Sequence, residues 1–181
     1  MRLEGKHIHL RPMTLPERQK FFRWATHSDA TPFWYGELYG DEVPTYIVFK
    51  HEWPDYYFNG SRPREGRCFA IIKDEKAIGE INYNVIDPHT HSVDLDIIIG
   101  SKSDQNRGYG SEAIQLLTTY LFEHMHVERC HIEVSPHNPR AIAAYNNAGF
   151  YETDRFQRDD IIWVNMEVLK EAYIKATIDS H

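Results

Sequence analysis

The stretch of this chain best suited to chemistry is the loop Gln105-Asn106-Arg107-Gly108-Tyr109-Gly110, which runs through Ser111 into a helical pattern. The first turn of a helix leaves several backbone N–H groups without intrahelical partners, and its dipole favours negative charge there. The glycines let the main chain itself approach a ligand. The loop therefore suits a diphosphate held by backbone amides, with no need for Lys or Arg at the contact. Further on, Asn138 and Tyr145 stand seven residues apart, close to two helical turns, so both can face one cleft. A third group comes from strand parity. If Ile81, Tyr83 and Val85 pack on the same core as Val93, Leu95 and Ile97, antiparallel pairing sets Glu80, Asn82 and Asn84 beside Asp94 and Asp96 on the opposite face. That gathers acidic and amide groups on one face. The same pattern also fits a solvated sheet face.

The elements that must position these groups follow from periodicity and punctuation. Strands are predicted from His7 to Arg11, Arg67 to Lys73, Ala77 to Ile86, Val93 to Ile99, His131 to Val134, Tyr151 to Arg158 and Ile161 to Leu169. Turns fall at Asp74-Glu75-Lys76, Asp87 to His91 and Asp159-Asp160. Thr14-Leu15-Pro16-Glu17 matches a capping box ahead of a helix with Phe21, Phe22, Trp24 and Ala25 on its apolar face. Further helices are expected over Thr45 to Trp53, Gly110 to His124, Asn138 to a stop at Gly149, and Lys170 to Ser180. Ser28 to Pro44 holds Phe33, Trp34, Tyr35, Gly36, Tyr39 and Gly40 with no clean period, and reads as a loop wall. Its aromatics suit a core cap and a substrate pocket equally, with Trp34 and Tyr35 as the substrate-binding candidates. Strands alternating with helices, with antiparallel hairpins among them, predict a mixed α/β or α+β sheet with helices on its faces.

Composition bounds what surrounds the site. The 181 residues, 41% of them hydrophobic, suit one domain over residues 1–181. A net charge of -7 and the lack of any Lys/Arg run argue against nucleic acid and mildly for a cationic ligand. Cys68 and Cys130 make neither a disulfide framework nor a zinc spacing, and read as core thiols in a reducing cytoplasm. No signal region or membrane-length apolar run is visible. His124 and His126 do not share a helix face, and His89 and His91 lack a third ligand, so no metal site is expected. Gly108-x-Gly110-x-x-Ala113 fits the dinucleotide fingerprint in letters, but Gly100 to Arg107 separate it from the strand where that motif needs a tight turn. No Walker lysine is present.

With Asn138, Tyr145 and Gly149-Phe150 downstream, the Q-x-x-G-x-G loop resembles the GNAT superfamily of acetyl-CoA-dependent N-acetyltransferases. The resemblance is specific from about Lys76 to Phe150. It implies the GNAT fold, a mostly antiparallel twisted sheet flanked by helices on both faces. It implies acetyl-CoA lying along Ile97, Ile98 and Ile99 as an added strand would, with its pyrophosphate on Gln105, Asn106, Arg107, Gly108, Tyr109, Gly110 and Ser111. Asn138 then contacts the cofactor, and Tyr145 protonates the departing thiolate. The candidates for taking the amine proton are Asp96, then Asp94, then Glu80, with Asn82, Asp94 and Asp96 also lining the acceptor pocket. Trp24 and Phe33-Trp34-Tyr35-Gly36-Glu37 are similar to the aminoglycoside 6'-N-acetyltransferases. His89 to Gly100 is similar to spermidine N-acetyltransferases, and Leu10-Arg11-Pro12 to the ribosomal-protein N-terminal acetyltransferases (RimJ/RimL-like). The expected acceptor is a small-molecule amine, aminoglycoside-like or polyamine. The alternatives are a protein N-terminus or, in another class, an acyl-CoA sensor without turnover. A homodimer stays open.

Overall fold

The computed structural model describes residues 1–35, 42–158 and 160–179, with side chains in the last helix as far as residue 175. Gly36, Glu37, Tyr39 and Gly40 of the aromatic segment, Asp159 of the predicted turn, and Ser180 lie outside the described residues. Eight strands form one sheet: β1 (Leu3–Glu4), β2 (His9–Pro12), β3 (Arg67–Lys73), β4 (Lys76–Tyr83), β5 (Ser92–Ile99), β6 (Arg129–Val134), β7 (Tyr151–Arg158) and β8 (Ile161–Leu169). Their order is β1-β2-β3-β4-β5-β6-β8-β7. Every pair is antiparallel except β5 with β6. The residue types explain the places. The run Cys68 to Ile72 in β3 is apolar throughout because helices cover both faces there, whereas β7 is exposed almost end to end at the sheet edge.

One face carries α5 (Tyr109–His124) and α6 (Pro139–Asn147), whose Ile114, Leu117 and Leu121 pack on Phe69, Ile81, Tyr83 and Leu95. The other face, over the N-terminal half of the sheet, carries α1 (Arg18–Thr26), α2 (Thr31–Trp34), α3 (Tyr46–Glu52) and α4 (Tyr56–Asn59). A final helix, α7 (Lys170–Asp179), follows β8. The second core is aromatic. Phe21 meets Trp53 at 4.8 Å, Phe49 at 5.1 Å and Trp34 at 5.8 Å between ring centroids, each edge to face.

The predicted elements are found with local corrections. Part of the expected loop wall folds as α2, and the short strand β1 was not anticipated. β4 ends at Tyr83, three residues before its expected end, and Val85 is 61% exposed, outside the core it was expected to join. The pairing of Asn82 with Asp96 and of Glu80 with Ile98 matches the parity argument. That face is nevertheless not solvated at Glu80 and Asn82, because the α1 to α4 layer seals both completely. A Cβ at Gly79 would overlap the Ile98 carbonyl, so glycine is what lets β5 lie this close to β4.

The entry into α1 is fixed by one ion pair. Arg11 grips Glu17 in bidentate fashion at 2.6 and 2.9 Å, while Glu17 Oε2 also accepts from the Thr14 backbone at 2.9 Å. These bonds, the Arg11 guanidinium first, hold the Glu17 carboxyl down at about 2. A depressed carboxylate adds stability above its unfolded value of 4.5, and that contribution is lost as pH falls toward 2. Glu17→Gln is therefore expected to cost about 1 kcal/mol in denaturant unfolding at neutral pH. The gap to wild type should close as the medium is acidified through that window.

Candidate active site

β5 and β6 pair only from Ser92 to Asp94 against Arg129 to His131. Beyond that point β5 continues beside β4 as far as Ile99, and β6 beside β8 as far as Val134, so the two strands part. The peptide groups of β5 that point away from β4 beyond Asp94 have no neighbouring strand. The gap opens into a cavity of about 700 Å³ lined by Asp96 to Ile99, the loop from Asp104, the start of α5, and Asn138 and Tyr145.

The loop at its end is held by its own side chains. Gln105 is buried; its amide nitrogen donates to the Ile99 carbonyl at 2.9 Å and its oxygen accepts from Arg140 at 2.6 Å. Arg140 in turn lies 5.1 Å from the Phe33 ring. The Lys102 N–H donates to Asp29 at 2.8 Å, tying the loop to the far layer. Asn106 and Gly108 take left-handed backbone angles (φ 58° and 82°), which turn the chain into α5. Among the described residues no acceptor outside the helix meets the N–H groups of Arg107 to Ser111. A Cβ at Gly108 would meet nothing within 4 Å, and one at Gly110 only Ile97 Cδ1 at 3.9 Å, so the space over these amides is open. Such a cradle fits a pyrophosphate.

The sequence candidates divide by place. Ile97, Ile98, Ile99, Asn106, Arg107, Gly108, Tyr109 and Gly110 line the cavity through the strand edge and loop, and so do Trp34 and Tyr35. Ser111 and Asn138 line it too, but with committed side chains. The Ser111 hydroxyl donates to Ala144 O at 3.0 Å, docking α6 on α5, and Asn138 caps α6 by accepting from the Ala141 N–H. Tyr145 is buried on the cavity wall, and burial raises its hydroxyl above the ordinary tyrosine value, keeping it neutral and able to donate. Asp96, half-buried, accepts from Asn84 at 3.0 Å, and Asn84 accepts from Tyr57 at 2.8 Å. Burial, reinforced by Asp94 and Glu133, lifts Asp96 to about 6. Asp94 is exposed and off the cavity lining, and partial desolvation raises its carboxyl above the usual value. Glu80 and Asn82 are sealed and also off the lining; burial holds the Glu80 carboxyl well above the usual range.

Sequence reading missed Tyr57, Asn84 in its supporting role, Glu133, Arg140, Arg158 and Trp163, all on the wall. Glu133 was within reach, since it alternates with Ile132 and Val134 on β6 just as Asp96 alternates on β5. Arg158 and Trp163 had no local signal. Among the described residues no cluster of three or more His, Cys, Asp or Glu is set to hold a metal, and no helix is long and apolar enough to cross a membrane.

A sheet that parts over an amide-lined helix N-terminus offers an extended ligand both a free strand edge and an anion cradle. The model of the acetyltransferase (GNAT) domain family matches residues 7–151, and the chain belongs to that family. Aminoglycoside acetyltransferase AAC(6')-Ib, solved with ribostamycin and coenzyme A, superposes with a TM-score of 0.76 at 21% identity over 94% of this chain and 97% of that one. Spermidine N-acetyltransferase from Vibrio cholerae, solved with CoA and spermine, gives 0.75 at 17% over 94% and 99%. In sequence, the chain is 28% identical to an N-acetyltransferase 9-like protein of Nematostella vectensis over 48% of its own length and 50% of that protein. It is 30% identical to N-acetyltransferase p20 of Bacillus licheniformis over 46% and 47%. The chain thus spans about half the length of the curated relatives it matches.

Gly110→Val tests the cradle without straining the backbone, since Gly110 has no left-handed φ and a Cβ there meets only Ile97 Cδ1, at 3.9 Å. Removing one or two charge-assisted hydrogen bonds, about 1.5–3 kcal/mol each, predicts CoA binding weakened about tenfold or more in calorimetry, with the melting temperature kept. Unaltered affinity would move the pyrophosphate elsewhere. Asp96 makes a second test. Its folded value lies above the unfolded 3.8, so its ionisation removes stability as pH rises from 3.8 through about 6. Asp96→Asn should therefore be more stable than wild type at pH 7, by roughly 1–3 kcal/mol, while losing activity.

Proposed function

We propose that this chain transfers the acetyl group of acetyl-CoA to a primary amine by direct attack. The observation that carries the reading is the parted β5–β6 edge ending on the open amides of α5. The strand edge at Ile97 to Ile99 offers peptide groups to the amides of a pantetheine arm, and the amides from Arg107 to Ser111 take the pyrophosphate. When bound, acetyl-CoA supplies an activated acyl thioester. Asp96 accepts the proton that the amine must lose to attack, and a value of about 6 leaves it ionised yet basic near neutrality. Tyr145, on the opposite wall, donates its proton to the departing sulfur. Asp94 and Glu80 are the weaker candidates for the base, one being outside the cavity and the other sealed from it.

The acceptor end favours a small cationic amine. Glu52, Asp96 and Glu133 bring carboxylates to the wall from three different elements, and Trp34, Tyr35 and Trp53 add aromatic faces. The neighbours solved with ribostamycin and with spermine support the same class. The two free, buried cysteines accord with a reducing cytoplasm.

The test is CoA release with a panel of aminoglycosides, polyamines and peptides bearing free N-termini. Turnover is expected with at least one of the first two groups, falling as pH drops through about 6. Tyr145→Phe should slow it by ~10²-fold with CoA affinity kept. CoA binding with no release from any acceptor would favour the sensor reading instead.

A further inference from the structure

Where β6, β7 and β8 reach the cavity, the Arg158 guanidinium sits in a slot made by other residues. Its Nη2 donates to Glu133 Oε2 at 2.6 Å, and its central carbon lies 5.0 Å from the Trp163 ring and 5.4 Å from the Phe156 ring. A carboxylate whose bound cation also lies against two aromatic rings marks a recognition site for an organic cation. Arg158, Glu133 and Trp163 all belong to the cavity wall that also carries Asp96. The pair is open to water, with side-chain exposures of 45% for Arg158 and 40% for Glu133. An ion pair that exposed holds its arginine weakly, so displacing it costs little.

We propose that this slot is a subsite for a second ammonium group of the acceptor, and that Arg158 is the internal cation which occupies it until the acceptor takes its place. This deepens the amine-acetyltransferase reading and rests on it for the word acceptor. One amine of a diamine then lies beside Asp96 for reaction while the other exchanges with Arg158 at Glu133. Arg158 thereby tunes specificity: a ligand with a second charge must evict it to reach Glu133, whereas a monoamine at Asp96 leaves it in place, so its presence narrows the margin by which the subsite favours a diamine.

The probes are diaminobutane and butylamine, compared by the ratio of their KM values and, apart from turnover, by calorimetric titration into the CoA-loaded protein. Arg158→Gln leaves Glu133 unpaired, and diaminobutane should gain roughly threefold to tenfold over butylamine in both measurements. In Glu133→Gln, and in the double variant, that gain should be absent. Arg158→Lys should keep the wild-type ratio, which separates loss of the charge from loss of the side chain's packing. A ratio unmoved by Arg158→Gln, or an equal gain that persists without Glu133, overturns the proposal. Selective diamine binding that follows this pattern without acetyl transfer would keep the subsite and sink the proposed reaction, so the two failures are distinguishable.

Discussion

The structure depends on two parallel strands that stop pairing. A backbone N–H or C=O left without a partner away from water is costly, so a sheet normally closes its ladders. Here the ladder between β5 and β6 ends at Asp94 and His131, and everything that looks functional sits beyond that point. The gap persists because each strand is satisfied on its other side, β5 by β4 and β6 by β8. An extended ligand with amides of its own restores what the sheet forgoes.

The two sides of the gap hold different parts of the proposed chemistry. α5 and α6 are tied together by Ser111 and by Gln115, whose amide donates to Asn147 O at 3.2 Å. The anion cradle and the helix that carries Tyr145 are thereby fixed to each other. Asp96, on β5, is anchored separately, by Asn84 just beyond β4 and through it by Tyr57 of α4. Its raised proton affinity comes from being half withdrawn from water next to two other carboxylates, a condition that burdens the fold and suits a base.

Much of the frame was legible because its signals are local. The capping box at Thr14, the Asn138 cap and the glycine turn into α5 each appear in the structure as their residue types predict. Strand parity correctly aligned Asn82 with Asp96, since no bulge interrupts the register between β4 and β5. Parity is silent on what covers a face: four helices, of which only α2 falls in the segment without a clean period, close over Glu80 and Asn82. By sequence the wall aromatics suit core and pocket equally, and Tyr35 occupies both positions, packed in the second core yet lining the cavity. The Gln105–Arg140 and Arg158–Glu133 partners were out of reach because they join residues 35 and 25 positions apart through side chains alone.

Gln105 has one further consequence. Its amide spans from the end of β5 to Arg140 on α6, so a single side chain bridges both banks of the cleft. The width of the cleft beside the start of α5 is thus gauged by the length of a glutamine, and Arg140 is kept at the wall. A diphosphate-bearing ligand arriving there would meet a channel whose calibre is already set, with little ordering entropy left to be spent on shaping it.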